Sequence, residues 1–263
     1  MKEEYDSSKL LQTILRHGAT EEEAKAVLVE IEKELYEGIK TREIMRLMDK
    51  NLERFLKPKP VKRDLRSAIG LMRSKPDFEE YARRLLDAEG YRVITNQVIQ
   101  GYCVTHEIDG VAFKDGKTFY VETKHHSTKH GFTPFAVTLA AKAKFDDIKH
   151  GYNEGLNEYD FDRVIIICNT RLTDHASQYA ECVGIEHIGW KAPHNDGIES
   201  IATRNNLYPV TILITLTKDE YGKLSDLGII TLNDFINNKK NVPIKDSRLK
   251  ELVEEVERLV NKN

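Results

Sequence analysis

The sequence predicts a mixed α/β core (α+β, with one mixed sheet) preceded by a helical module and followed by a small C-terminal helical extension. Three observations carry this. Apolar residues recur at helical spacing through the first 56 residues, the period shortens to that of strands at Tyr91, and the uninterrupted run Val164 to Ile167 reads as a buried central strand. A chain of 263 residues, 40% hydrophobic and 32% charged, can bury a sizeable core and has room for two modules. Collagen, disorder and a small disulfide scaffold are excluded by the same composition.

Leu10, Leu11, Ile14 and Leu15 place bulky groups on one side of a short helix that ends near Gly18. Thr20 and Glu23 form a capping box for a second helix through Tyr36, whose stripe is Ala24, Val27, Leu28, Ile31 and Leu35. Thr41 to Phe55 repeats the pattern with Ile44, Leu47, Met48, Leu52 and Phe55, so residues 1–56 read as a helical domain whose stripes cover one another. Lys57-Pro58-Lys59-Pro60 interrupts it, and residues 57–73 read as a basic linker with a short helix over Leu65 to Met72.

Pro76-Asp77 introduces a stronger helix with Phe78, Tyr81, Ala82, Leu85 and Leu86 on one side and Gly90 at its end; Asp77 and Glu80 are expected to cap it. Tyr91 to Val98 and Cys103 to Phe113 are strands, and Asp115-Gly116 turns the chain into a third that runs through Lys124. Ala136 to Ile148 is a helix, Val164 to Cys168 the central strand, His175 to Cys182 a helix, and Ile185 to Ile188 a final strand, completing a core domain over 74–205. The extension 206–263 is expected to hold a strand at Val210 to Leu216, short helices at Lys218 to Leu224 and Leu232 to Ile236, and a terminal helix from Ser247 to Val260.

The net charge of -3 provides no global attraction for nucleic acid. Positive charge is instead local: residues 57 to 66 hold five Lys/Arg against one Asp/Glu. Lys62, Arg63 and Arg66 there can meet DNA phosphates, without any base-reading pattern, or can simply solvate a hinge. Cys103, Cys168 and Cys182 are widely spaced and form no close metal-ligand pair, as suits a reducing compartment. No apolar run is long enough to span a bilayer and the N-terminus has no apolar signal core, so the expectation is a cytoplasmic protein without a membrane partner.

The chemistry concentrates in His106-Glu107-Ile108-Asp109-Gly110 and, after the turn, Tyr120-Val121-Glu122-Thr123-Lys124. Side-chain direction repeats every two residues along a strand, so Glu122 and Lys124 share a face that Asp109 can reach from the neighbouring strand. Oxygen ligands of this kind suit Mg2+ or Mn2+ beside a phosphodiester, and an adjacent ammonium can orient water or stabilise charge developing on phosphorus. Glu79 can join from the preceding helix. A solvated hairpin tied by salt links is the competing reading of the same residues.

Phe78-Glu79, Glu107-Ile108-Asp109 and Glu122-Thr123-Lys124 together resemble the restriction-endonuclease-like core of archaeal Mrr-type and Holliday-junction-resolving nucleases, over roughly residues 74 to 190. The resemblance implies a mixed sheet flanked by helices, divalent-metal-dependent hydrolysis of DNA, structured or branched DNA included, and a homodimer able to address both strands. It implies Glu79 as the helix acid, Asp109 and Glu122 as metal ligands with it, and Lys124 as the catalytic amine. Gln97 and His126 are possible neighbours of the cleft. Residues 7 to 56 resemble the helical part of an ATP-cone domain, which implies ATP or dATP binding, although the leading β-hairpin of that family is missing or severely shortened before Tyr5. Two alternatives compete with an active deoxyribonuclease: a noncatalytic DNA or nucleotide sensor on the same scaffold, and an RNA-processing nuclease.

Overall fold

The computed structural model describes residues 5–17, 19–55, 63–128 and 131–260, and the chain divides into two compact units. The first comprises the described parts of Met1–Asp64, Ile212–Glu220 and Pro243–Asn263. The second comprises the described parts of Leu65–Thr211 and Tyr221–Val242. The segment 206–263 is therefore shared between the two.

In the first unit, α1 (Ser7–Arg16) and α3 (Thr41–Phe55) occupy the expected positions, and α2 (Glu21–Lys33) begins as expected but stops short of Leu35 and Tyr36. Asp6 accepts from the amides of Ser8 and Lys9 at the start of α1, and the Thr20–Glu23 capping box is present at α2. Leu10, Ile14, Ala24, Val27, Ile31, Met48 and Leu52 form one buried cluster. Fully burying an aliphatic side chain of this size stabilises by about 1.5–3 kcal/mol, which outweighs the modest intrinsic stability of helices this short.

The second unit is built on a five-stranded sheet of β1 (Arg92–Gln100), β2 (Thr105–Lys114), β3 (Lys117–Lys124), β5 (Arg163–Cys168) and β7 (Glu186–Ile188), in the order β1-β2-β3-β5-β7. The short strands β4 (Phe132–Thr133) and β6 (Arg171–Leu172) pair separately. β1, β2 and β3 are antiparallel neighbours, whereas β3, β5 and β7 run parallel. Asp115 and Gly116, with φ of 50° and 74°, make the tight β2–β3 turn that the right-handed twist of a hairpin favours.

Helices cover both faces. On one, α4 (Leu65–Gly70), α5 (Glu79–Ala88) and α8 (Ile198–Arg204) meet Val121, Ile165 and Ile167 around Trp190. On the other, α6 (Phe135–Asn153) and α7 (Asp174–Cys182) meet Tyr120, Val164 and Ile166. The alternation of consecutive residues of β3 and β5 between the two clusters is the period of two that a doubly covered strand imposes.

Two local expectations are overturned. Val210 to Leu216 forms no strand; only a 3-10 turn at Val210–Ile212 is regular. Its backbone groups find other partners: Val210 N–H donates to the Ile230 carbonyl, and Ile214 N–H to Glu255 Oε1 at 2.9 Å. The capping box at α5 is also absent. Phe78 already has helical φ and ψ of -71° and -33°, and the extended residue before it is Lys75, with φ of -127° and ψ of 137°, so Asp77 lies beyond the position from which a side chain caps. Asp77 lies instead within a π turn at Ser74–Phe78, where its buried carboxylate accepts from Arg73 Nε at 3.1 Å and from the hydroxyls of Tyr221 and Ser225. The latter two belong to α9 (Lys218–Asp226), which a turn at Gly228, with φ of 70°, separates from α10 (Leu232–Asn238). The terminal helix is Asp246–Val260.

Candidate functional site

Asp109 sits where β2 leaves its regular ladders. Pairing with β1 runs from Thr95 opposite Gly110 to Gln97 opposite Ile108, stepping over Asn96, which has φ of 53°. Pairing with β3 ends at Gly110 opposite Val121. A Cβ at Gly110 would lie 3.2 Å from the Ile94 carbonyl, so glycine permits the close approach of β1 directly beside Asp109. In place of a ladder bond, Asp109 Oδ2 accepts from the backbone N–H and hydroxyl of Thr123 at 2.7 and 2.8 Å.

Glu79 enters from the first turn of α5. It is 8% exposed, and burial raises its pKa, a tendency opposed by Lys75 and reinforced by Asp109. Lys75 Nζ lies 2.8 Å from Glu79 Oε1 and 3.6 Å from Asp109 Oδ1, so one ammonium group joins both carboxylates. The bond to Glu79 raises the pKa of Lys75 in turn.

Glu122, 6% exposed, lies on the face shared by Tyr120 and Lys124. Its Oε1 is 2.7 Å from Lys124 Nζ, while Oε2 accepts from the Tyr120 hydroxyl and lies 3.2 Å from Lys144 Nζ of α6. Burial alone would raise its pKa, but the bonds from Lys124 and Tyr120 and the charge of Lys144 outweigh it and hold the carboxyl below its ordinary value. Tyr120 is pushed the opposite way by burial and by the carboxylate it serves.

The carboxylate oxygens fit a hard divalent cation by donor type, and Glu79 and Asp109 already share a positive group. Among the described residues, no three acidic, imidazole or thiol side chains are already grouped to hold one metal ion. Glu122 instead has both oxygens bonded to neighbouring cations or hydroxyl.

The other sequence-predicted residues have partners of their own, and His126 also feels the charge of Lys124. Gln97 Nε2 donates to the Thr95 carbonyl, and His126 Nε2 lies 3.0 Å from Thr133 Oγ1. His125 packs against Phe78, with 5.0 Å between ring centroids, and its ring bonds to Ser74 and the Ile69 carbonyl; burial lowers its pKa. Arg63 is half-buried and donates to the Leu213 carbonyl at 2.7 Å; Arg66 stands 5.7 Å from the Trp190 ring centroid. Lys62 lies outside the described residues.

Sequence reasoning missed Lys75, Tyr120, Thr123 and Lys144. Tyr120 precedes Glu122 by one strand period and so was signalled by spacing, whereas Lys75 has extended backbone, φ -127° and ψ 137°, ahead of the helix, and its meeting with Glu79 had no periodic signal. Thr123 was visible only as an inward neighbour of Glu122, and the meeting of Lys144 with Glu122 had no local signal.

Among the described residues, no helix is long and apolar enough to cross a membrane. A family described as Restriction endonuclease, the Mrr catalytic domain, matches residues 72–189. A second, AF1548-like, C-terminal, matches residues 208–260. An uncharacterised protein of Archaeoglobus fulgidus is 30% identical over 182 residues, covering 67% of this chain and 98% of that protein. The crystal structure of a protein of unknown function, AF1548, superposes with a TM-score of 0.60 at 28% identity, over 71% of this chain and 98% of that one. Can2 from Sulfobacillus thermosulfidooxidans, in complex with cyclic tetra-adenylate, aligns with a TM-score of 0.35 at 12% identity, over 74% of this chain and 55% of that one. The mixed sheet is thus a restriction-endonuclease-like, nuclease-type core followed by an AF1548-like C-terminal domain, and the chain belongs to the family of the Archaeoglobus fulgidus protein.

Proposed function

We propose that this protein is a divalent-metal-dependent endonuclease that hydrolyses DNA phosphodiesters, structured or branched DNA included. The observation that carries this reading is the meeting of Glu79 and Asp109 around one cation, beside the Glu122–Lys124 pair. A bound Mg2+ or Mn2+ would be held by Glu79 and Asp109 with Glu122, and would supply polarisation of the phosphate and a lower cost of forming hydroxide. Lys124 Nζ, anchored on Glu122, stabilises negative charge developing on the phosphoryl oxygens. Asp109 is oriented by Thr123, so its remaining oxygen keeps a fixed direction. A homodimer would supply one such site to each strand of a duplex. Lys62, Arg63 and Arg66 remain proposed contacts for the DNA backbone, and Lys124 and Lys144, which meet on Glu122, add positive charge at the site itself.

Wild type and Asp109→Ala are to be incubated with duplex, single-stranded and branched DNA and with matched RNA, with Mg2+, Mn2+ or a chelator. Metal-dependent DNA cleavage that falls at least ~100-fold in the variant is expected. Equal background cleavage by both proteins rejects the site. Cleavage of RNA alone would favour the RNA-processing reading, and DNA binding without cleavage would favour the sensor. Addition of ATP or dATP tests nucleotide regulation through the N-terminal helices.

A further inference from the structure

Four carboxylates, Glu79, Glu107, Asp109 and Glu122, meet three ammonium groups, Lys75, Lys124 and Lys144. A divalent cation added to this set turns its net charge from one negative to one positive. The partners differ in freedom: the Glu79 side chain is 8% exposed and that of Asp109 14%, whereas that of Lys75 is 62% exposed. Asp109 is held through its second oxygen by Thr123, so Lys75 is the member that can leave. Its charge rides on a flexible four-carbon stem that already lies largely in water, so it can swing away without disturbing the core.

We propose that Lys75 is a displaceable counter-ion of the metal site. Its ammonium holds a cation's place between Glu79 and Asp109 until a divalent metal enters, and the released side chain then meets the substrate phosphate. Metal and ammonium cannot occupy the same carboxylates without strong repulsion, so each metal-binding event frees one positive charge at the mouth of the cleft. A phosphodiester supplies the anion that this charge needs, so metal and nucleic acid bind cooperatively, and by linkage each strengthens the other equally. The inference rests on the metal-dependent reading above and specifies how that metal site is coupled to substrate.

Free Mn2+ is to be followed by electron paramagnetic resonance in titrations of wild type, Lys75→Met and Lys75→Arg, with and without a hydrolysis-resistant phosphorothioate DNA duplex. Without DNA, Lys75→Met is expected to bind Mn2+ about 10-fold more tightly than wild type, while Lys75→Arg stays near wild type. The duplex is expected to tighten Mn2+ binding about 10-fold in wild type and less than about 2-fold in Lys75→Met. If wild type binds Mn2+ and Lys75→Met binds it no more tightly, the counter-ion role is overturned while the metal reading stands. Equal tightening of both proteins by the duplex overturns the coupling. If neither protein binds Mn2+ and both retain native circular dichroism, the metal reading fails and this inference with it.

Discussion

Thr123 binds a single oxygen of Asp109 twice, through its amide at 2.7 Å and its hydroxyl at 2.8 Å, and so fixes the carboxylate at the point where β2 and β3 stop pairing. One carboxylate oxygen thereby does the work of the next ladder bond, and the other lies 3.6 Å from Lys75 Nζ. The neighbouring Glu122 is held with equal care, but by side chains from its own strand and from α6.

Thr123→Val keeps the amide bond and nearly the same volume while removing the hydroxyl. Hydrogen bonds to charged groups contribute about 1.5–3 kcal/mol, so loss of this one is expected to slow DNA cleavage about 10-fold or more. Thr123→Ser should recover most of the rate. Single-turnover kinetics with an unchanged melting temperature would locate the effect in the orientation of Asp109, and a Val variant as fast as wild type would refute it.

Lys124 and Lys144 both touch Glu122, at 2.7 and 3.2 Å, but are expected to differ in consequence. Lys124→Met should lower the cleavage rate at least ~100-fold, as loss of a group that stabilises transition-state charge does. Lys144→Met should cost about 10-fold, with recovery in Lys144→Arg, since it acts by holding Glu122. The reverse order of effects would transfer the catalytic role to α6.

Asp77 is 1% exposed and is satisfied by Arg73, Tyr221 and Ser225. Asp77→Ala leaves two hydroxyls without their acceptor, while Arg73 keeps Asp226 at 3.0 Å, and is expected to destabilise the core by about 2–4 kcal/mol, against about 1 kcal/mol for Tyr221→Phe. Urea unfolding measures both. Because the same turn carries Lys75 and leads into Glu79, Asp77→Ala should also weaken Mn2+ binding in the fraction that remains folded.

His187, 3.3 Å from Cys168 Sγ, has its pKa lowered by burial to about 4. The folded state therefore disfavours the charged imidazole, while the unfolded chain takes up a proton near the ordinary value of about 6.5. Stability from this residue is complete above the unfolded pKa and is lost as pH falls through the folded one, a decline on the order of 2–3 kcal/mol between pH 7 and 4. His187→Gln should flatten that part of the stability profile. An equally steep decline in the variant would assign the loss to other groups.

Much of the fold was legible because its signals are local. The Thr20–Glu23 box, the Asp115-Gly116 turn and the aliphatic run of β5 each state their conformation within a few residues, and all are present. Errors arose where distant groups competed for the backbone or for a cap. Val210 to Leu216 has the composition of a strand, but the Ile230 carbonyl and the Glu255 carboxylate take up its amides. Asp77 has the position of a cap, but Arg73 and α9 take its carboxylate.

The sequence by itself determined the strand carrying Tyr120, Glu122 and Lys124 on one face, the helix carrying Glu79, and the turn that returns β2 to β3, since periods of 2 and 3.6 residues are written along the chain. Only the tertiary structure decided that Lys144, 22 residues from Glu122, reaches its carboxylate, and that Lys75 stands between Glu79 and Asp109. Such encounters depend on how α5 and α6 pack on opposite faces of the sheet, and packing is fixed by the whole core rather than by the residues that meet.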